Sequence, residues 1–169
     1  MTSHPHNLIL DKAQIEQKIM RMAYEIYERN FEEQELVLAG IHENGYILAE
    51  LLAAKLESVS PVKVQLLRIT LDKNSPLQAP ITLEPEVGSL EAKAVILVDD
   101  VLNTGKTLAY TLNTFLPRNP KKVEIATLID RHHPSYPVAA TYTGYSLATT
   151  LRDRIEVVLK ETEVAAYLL

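Results

Sequence analysis

Two adjacent aspartates, Asp99 and Asp100, close the apolar run AVILVDD and are followed by a turn of small residues in VLNTGKT. In a parallel sheet this turn would lie at the carboxyl edge, where helix N-termini point and ligands bind. Its backbone N–H groups and hydroxyls could hold a phosphate, which the helix dipole favours by about 0.3–1 kcal/mol. The predicted phosphate ligands are Asn103, Thr104, Gly105, Lys106 and Thr107.

The two aspartates need a different role, because a carboxylate beside a phosphate repels it. Carboxylates accept hydrogen bonds from sugar hydroxyls, and Mg²⁺ binds carboxylates together with phosphates. We therefore expect a sugar phosphate, with its hydroxyls and an indirectly held Mg²⁺ at Asp99 and Asp100. The alternative is that both aspartates merely end a strand and that Asn103 and Thr104 cap a helix. A Walker A loop is excluded, because that motif needs a further glycine and this stretch has only one.

The elements around this motif are predicted from hydrophobic spacing. A helix begins at Asp11, with Asp11 and Gln14 as a capping pair, and its predicted buried face consists of Ile15, Ile19, Met22, Ala23 and Ile26. The segment HENG is predicted to be a tight loop before a helix over 45–58, and a further helix over 104–116 is ended by Pro117. The predicted core strands are ELVLAGI (35–41), PVKVQLLRITL (61–71), AKAVILVDD (92–100) and KKVEIATLID (121–130). The segments AATYTGY (139–145) and RIEVVL (154–159) are expected to extend the edge of the sheet.

Near-continuous apolar strands that alternate with helices favour a doubly wound α/β fold, with a mainly parallel sheet and helices on both faces. We expect one domain over residues 1–169. The segment 72–92 is different, since it contains three prolines and carries Lys73 as its only cation. A connection of this length is typically functional or mobile.

Composition limits the possible functions. The chain contains no cysteine, which excludes disulfides, thiolate metal sites and a cysteine nucleophile. A net charge of -5 disfavours broad nucleic-acid binding, although a local basic patch remains an alternative. We expect no membrane association and a cytoplasmic location, because the N-terminus lacks a signal-peptide pattern and no apolar stretch is long enough to span a bilayer.

The stretch VILVDDVLNTGKT resembles the phosphoribosyl-pyrophosphate (PRPP) signature of type I phosphoribosyltransferases, two acidic residues followed by a T-G-[KR]-T turn. The likeness covers nearly the whole chain and is strongest to one subfamily, the pyrimidine operon attenuation regulators with uracil phosphoribosyltransferase activity. The further segments that carry it are LILDKAQIEQKIMRMAYEIYERN, LVLAGIHENGYILAELLA, VKVQLLRITL and ATLIDRHHPSYPVAATYTGY. The resemblance implies the fold of that family with a small hood, and transfer of ribosyl 5-phosphate from PRPP to a nucleobase, uracil first, with Mg²⁺.

The resemblance also implies roles for individual residues. Asp99 and Asp100 would hold the ribose hydroxyls and the metal, and the turn after them would bind the 5-phosphate. Some relatives that act on purines have an aspartate at the position of Asn103. The side-chain amide of Asn103 cannot act as a general base. The implied pyrophosphate loop consists of His42, Glu43, Asn44 and Gly45. This loop departs from the subfamily, which commonly has lysine or arginine there, and Glu43 would repel pyrophosphate unless it points away or meets Mg²⁺. As a plain alternative, HENG is only a strand-to-helix turn.

On the base side, the resemblance implies that Asp130, Arg131 and Tyr145 recognise the nucleobase. The alternatives are a surface salt bridge between Asp130 and Arg131, and a Tyr145 ring that only packs against the protein. The subfamily sequence D-R-G-H becomes D-R-H-H here, and Tyr145 replaces a frequent lysine. Adjacent histidines lack metal-ligand spacing. The 72–92 segment, with Lys73, corresponds to a mobile hood that excludes water in relatives. A homodimer is expected. The competing function is a nucleotide-sensing regulator or RNA attenuator with weak or no catalysis, whereas a dehydrogenase is disfavoured because G-x-G-x-x-G is missing.

Overall fold

The computed structural model describes residues 7–71 and 80–169. Its helices are α1 (Lys12–Arg29), α2 (His42–Val59) and α3 (Lys106–Phe115), and a 3-10 turn over Leu116–Arg118 follows α3. Its strands are β1 (Asn7–Leu10), β2 (Glu35–Ile41), β3 (Lys63–Thr70), β4 (Thr82–Glu84), β5 (Ala94–Leu102), β6 (Lys122–Asp130), β7 (Tyr142–Ser146), β8 (Ile155–Leu159) and β9 (Val164–Leu168).

The main sheet has six strands in the order β4-β3-β2-β5-β6-β7. All neighbouring pairs are parallel except the edge pair of β3 and β4. Residues of α1 and α2 pack in one apolar cluster on the sheet, and Leu108 and Phe115 of α3 pack in a second cluster. Helices therefore cover both faces, which confirms the predicted doubly wound α/β fold. The predicted edge strand AATYTGY is confirmed as β7.

A second sheet has three antiparallel strands in the order β1-β9-β8. The expectation that RIEVVL extends the main sheet is therefore wrong. This segment forms β8, which turns back onto β9 through hydrogen bonds between Lys160 and Glu163. Val157 and Leu159 of β8 join the apolar cluster of α1 and α2, so this pairing buries the apolar face of the strand. The two ends of the chain thus build a small sheet beside the main sheet.

The start of α2 also differs from the prediction. The segment HENG is not a separate loop, because α2 begins at His42 directly after the last residue of β2. His42 makes this abrupt turn with φ of 53°. A Cβ on Gly40 would lie 2.4 Å from Cα of Tyr46, so the missing side chain lets the first turn of α2 fold back onto the strand.

The predicted start of α1 is confirmed. The Asp11 side chain accepts from the Gln14 backbone N–H at 2.8 Å, and the Gln14 side chain accepts from the Asp11 backbone N–H at 2.9 Å. This reciprocal capping box satisfies two N–H groups that the helix itself cannot pair. The buried face of the helix has the predicted spacing, with Ile15, Ile19, Met22, Ala23 and Ile26.

Within the 72–92 segment, the structure describes residues 80–92. Strand β4 pairs with the end of β3. Lys73 lies outside the described residues. Of the helices in the described ranges, none combines the length and apolar character needed to cross a bilayer.

Candidate active site

Asp99 lies near the carboxyl end of the central strand β5. Its side chain is buried, with only 3% of the residue exposed, and its Oδ1 accepts the Asp100 backbone N–H at 2.9 Å. Asp99 also lines a cavity of about 50 Å³. The remaining lining residues are Val101, Leu102, Asn103, Thr104, Gly105, Lys106, Thr107 and Leu108. The structure therefore places one predicted sugar ligand and all five predicted phosphate ligands around one cavity.

The turn after β5 leads into α3 through Gly105. This residue is the N-cap of α3, has φ of 86° and offers no side-chain cap. The alternative that Asn103 or Thr104 caps this helix is therefore not what the structure shows, although Thr104 Oγ1 accepts the Lys106 N–H at 3.3 Å. The first N–H groups of α3 point into the turn, which is the arrangement that binds anions at helix N-termini.

The turn is held by the segment over 135–138, to which no role was assigned from the sequence. The Thr104 carbonyl oxygen accepts the N–H of Ser135 at 2.9 Å and of Tyr136 at 3.2 Å. A Cβ on Gly105 would lie 3.3 Å from Val138 Cβ, so this segment also packs closely against the turn. The two prolines in the sequence PSYP were a signal for an ordered bend here, since proline restricts both itself and the residue before it.

The Asp100 carboxylate accepts hydrogen bonds from β5 itself and from α2. Its Oδ1 accepts the Val101 N–H at 2.9 Å, and its Oδ2 accepts the side-chain amide of Asn44 at 3.1 Å. The same Asn44 nitrogen lies 2.9 Å from the carbonyl oxygen of Val157 on β8. Asn44 thus joins the first turn of α2 to the central strand and to the small sheet.

The four predicted pyrophosphate ligands form the first turn of α2. A Cβ on Gly45 would lie 2.7 Å from the carbonyl oxygen of Val98, so the turn is pressed against β5 just before the two aspartates. Glu43 is exposed, and Ile41 at the N-cap makes no side-chain cap bond. The start of a helix is the positive end of its dipole, so this turn, next to Asp100, could hold a second anion.

The side chains of this site could bind Mg²⁺ only if the substrate supplies some of the ligands in the coordination shell of the metal. The residues that would hold the ion are Asp99 and Asp100, whose carboxylate oxygens are hard ligands. In the ranges 7–71 and 80–169, no three His, Asp or Glu side chains are grouped so as to hold a metal by themselves. Mg²⁺ commonly binds through one or two carboxylates plus phosphate oxygens and water, and this site offers that combination.

A larger cavity of about 210 Å³ adjoins the turn on the side of β6. It is lined by Leu102, Asn103, Asp130, His132, Pro134, Val138, Ala139 and Ala140. The Asp130 Oδ1 accepts the His132 N–H at 2.9 Å, which orders the bend after β6. Asp130, one of the predicted base ligands, therefore lies next to the turn that holds the predicted phosphate ligands.

Arg131 is held by contacts within the chain. Its guanidinium donates to Asn103 Oδ1 at 3.1 Å, to Thr149 Oγ1 at 2.9 Å and to the Thr150 carbonyl oxygen at 3.2 Å. Tyr145 lies elsewhere, on the edge strand β7, with its ring centroid 5.8 Å from Lys18 Nζ on α1. The structure therefore brings Asp130, Arg131 and Asn103 together, and places Tyr145 beside α1.

A model of the phosphoribosyl transferase domain matches residues 7–160. The chain belongs to this family. The Bifunctional protein PyrR of Pelotomaculum thermopropionicum is 38% identical over 162 residues, which cover 92% of this chain and 90% of that protein. The Bifunctional protein PyrR of Deinococcus radiodurans is 37% identical over 166 residues, with coverage of 94% and 91%. The predicted resemblance to type I phosphoribosyltransferases and their regulator subfamily is confirmed.

Solved structures agree on the fold. The hypoxanthine phosphoribosyltransferase of Trypanosoma cruzi superposes with a TM-score of 0.79 at 18% identity, covering 96% of this chain and 95% of that one. A hypoxanthine-guanine phosphoribosyltransferase of Bacillus anthracis gives a TM-score of 0.73 at 21% identity, with coverage of 96% and 97%. These structures show that the backbone architecture of the family is present here.

Proposed function

We propose that this chain, as one domain over residues 1–169, transfers ribosyl 5-phosphate from PRPP to a nucleobase, with uracil as the first candidate. The observation that carries the proposal is the cavity shared by Asp99 and the Gly105 turn. It combines a carboxylate for sugar hydroxyls with open N–H groups for a phosphate. The name PyrR of the relatives supports a pyrimidine. The proposal includes a cytoplasmic homodimer, as expected for the family.

In this reaction the bond from the sugar's anomeric carbon to pyrophosphate breaks, and a bond to a base nitrogen forms. The base nitrogen loses its proton to water or to the leaving pyrophosphate. The chain contributes mainly by positioning. The N–H groups from Asn103 to Thr107 fix the 5-phosphate, and the Asp99 carboxylate orients the ribose hydroxyls. When bound, Mg²⁺ would neutralise charge on the pyrophosphate.

The pyrophosphate would lie at the first turn of α2, beside Asp100. Backbone N–H groups of this turn supply the donors. Asn44 keeps the Asp100 carboxylate fixed at 3.1 Å, so the acid is preorganised for the substrate and its metal. The second proposed anion position therefore lies on the opposite side of β5 from the 5-phosphate turn.

One observation favours a second candidate, a nucleotide-sensing regulator of the same fold with weak or no turnover. The first turn of α2 carries Glu43 and no lysine or arginine, so it is poor in positive charge for a leaving pyrophosphate. A nucleotide monophosphate has no pyrophosphate, so its binding does not depend on the first turn of α2. Regulation through RNA is disfavoured by the net charge of -5, and would require a specific RNA whose affinity falls as salt rises.

The decisive experiment measures pyrophosphate release from PRPP and Mg²⁺ with a panel of nucleobases. The proposed transferase releases pyrophosphate with at least one base, and Asp99→Asn lowers the rate at least about tenfold by removing a ligand charge. Glu161→Gln, an exposed change at the turn between β8 and β9, is the matched control and should behave as wild type. If no base causes pyrophosphate release but nucleotide monophosphates raise the melting temperature, the result would instead support the nucleotide-sensing regulator.

A further inference from the structure

The side-chain amide of Asn103 has a fixed orientation. The Arg131 guanidinium lies 3.1 Å from this amide and carries only N–H donors. The atom that it contacts must therefore be the carbonyl oxygen Oδ1, and the amide cannot be turned over without setting donor against donor. This leaves Nδ2 as the polar atom with which Asn103 can meet a ligand, and nothing in the described parts of the chain accepts from it.

Arg131 is itself held in place from the far side. Its Nε donates to Thr149 Oγ1 at 2.9 Å, and one terminal nitrogen donates to the Thr150 carbonyl oxygen at 3.2 Å. The Thr150 N–H in turn donates to Asp153 Oδ2 at 2.7 Å, and this bond is the main reason that the pKa of Asp153 lies below its usual value. His133 Nε2 lies 2.8 Å from the Thr149 carbonyl oxygen. The 149–153 segment therefore acts as a support for the guanidinium.

Asn103 stands where the two halves of the site meet. It lines the 50 Å³ cavity of the sugar-phosphate turn and also the 210 Å³ cavity beside Asp130. A base that attacks a sugar held in the first cavity must place the atoms flanking its attacking nitrogen near this junction. Whether the Asn103 side chain offers a donor or an acceptor therefore affects the edge of the base that lies next to the new bond to the sugar.

We propose that Asn103 is a specificity-determining hydrogen-bond donor and that Arg131 is the positioning residue that keeps it a donor. The site then takes a base with an acceptor beside its attacking nitrogen, as in a 2-oxopyrimidine. It disfavours a purine that carries an N–H on the other nitrogen of its imidazole ring. This inference rests on the proposed transferase function, and it names the chemical class of the base.

The chemistry of the attack agrees with this assignment. As the pyrimidine nitrogen gives up its proton, negative charge spreads onto the neighbouring carbonyl oxygen. An N–H from Asn103 stabilises that oxygen more strongly in the transition state than in the neutral base, which is the condition for lowering a barrier. The amide takes no proton itself, so the proton leaves to water or to pyrophosphate.

The test compares wild type with Asn103→Asp, an isosteric change that replaces the donor by an acceptor and keeps a partner for Arg131. For uracil against hypoxanthine, the ratio of kcat/KM should fall at least about tenfold. This ratio compares two bases in the same protein, so any change in PRPP affinity affects both bases and cancels from it. Arg131→Ala should weaken the same discrimination, because the amide is then free to rotate. Asn113→Asp, the same chemical change on the exposed side of α3, should leave the ratio unchanged.

An unchanged ratio in Asn103→Asp, with turnover intact, overturns this inference and leaves the proposed function standing. A wild-type protein that is silent with every base overturns the proposed transferase, and the inference is then decided by binding. Thermal shifts with uracil and hypoxanthine, measured with PRPP and Mg²⁺ present, should favour the pyrimidine base in wild type and lose that preference in Asn103→Asp. Equal preference in both proteins, or no shift with either base, overturns the inference as well.

Discussion

Asn44 donates its side-chain amide to Oδ2 of Asp100 at 3.1 Å, and so links the first turn of α2 to the central strand. The same nitrogen donates to the carbonyl oxygen of Val157 at 2.9 Å. Both partners are acceptors, so residue 44 must be a donor. A single side chain thus orients one of the two acids and ties the small sheet to the main one, which makes its polarity a condition for both stability and binding.

Replacing Asn44 by aspartate should destabilise the fold in a pH-dependent manner. Two carboxylates would face each other beside a carbonyl oxygen, and repulsion raises the pKa of the introduced acid. The penalty is fully present above this raised pKa and is relieved as pH falls and the acid becomes a donor. The melting temperature of Asn44→Asp should therefore lie well below wild type at pH 7, with a smaller gap at pH 4.5.

Asn44→Ala is the control for this change. It removes the donor without adding charge, and should cost about 1–3 kcal/mol because Asp100 and Val157 lose their shared partner. The difference in melting temperature between Asn44→Ala and wild type should depend much less on pH. Equal pH dependence in the two variants would show that the Asn44–Asp100 contact is not an electrostatic constraint.

A side chain at position 105 should destabilise the turn before α3. The φ of Gly105, 86°, is in the left-handed region, and a Cβ would come within 3.3 Å of Val138 Cβ. Gly105→Ala should lower the free energy of unfolding by about 1–3 kcal/mol. It should also weaken PRPP binding, measured by thermal shift. Gly88→Ala is the matched control, because a Cβ there meets nothing within 4 Å, and it should be near neutral in both measurements.

Much of this architecture could be predicted from the sequence where a local pattern determines it. The capping pair of Asp11 and Gln14, the buried face of α1 and the turn after Asp100 all depend on neighbouring residues, and the structure confirms each of them. Alternation of apolar strands with helices was enough to predict helices on both faces of a parallel sheet.

The parts that could not be predicted depend on packing and pairing that no pattern within a single element shows. Nothing local in RIEVVL distinguishes an edge strand of the main sheet from a hairpin with β9. The helical start at His42 depends on the tight approach of Tyr46 to Gly40. The hydrogen bonds of Arg131 to Asn103 and Thr150 span 28 and 19 residues, so the sequence could mark Arg131 as a candidate without showing which atoms it would contact.

His132 has a backbone conformation that suits glycine better. Its φ of 56° is in the left-handed region, and its side chain is largely exposed, with Nδ1 3.9 Å from Asp130 Oδ2. An exposed contact of this kind contributes little. His132→Gly should therefore raise stability by a few tenths to about 1 kcal/mol, measured by urea unfolding. His132→Ala keeps the backbone cost and should show no such gain, and a loss of stability in the glycine variant would contradict the assignment.

Tyr142 should make the fold sensitive to alkaline pH. Its hydroxyl donates to Glu124 Oε1 at 2.9 Å, and burial, followed by the charge of Glu124, raises its pKa. Above about pH 10 the unfolded chain loses this proton and the folded chain keeps it, so stability falls by about 1.4 kcal/mol per pH unit. Tyr142→Phe should cost about 1 kcal/mol at pH 8, and its deficit should shrink as pH rises above 10 in urea titrations. Tyr24→Phe, an exposed change on α1, should follow wild type, whereas parallel curves for wild type and Tyr142→Phe would contradict the prediction.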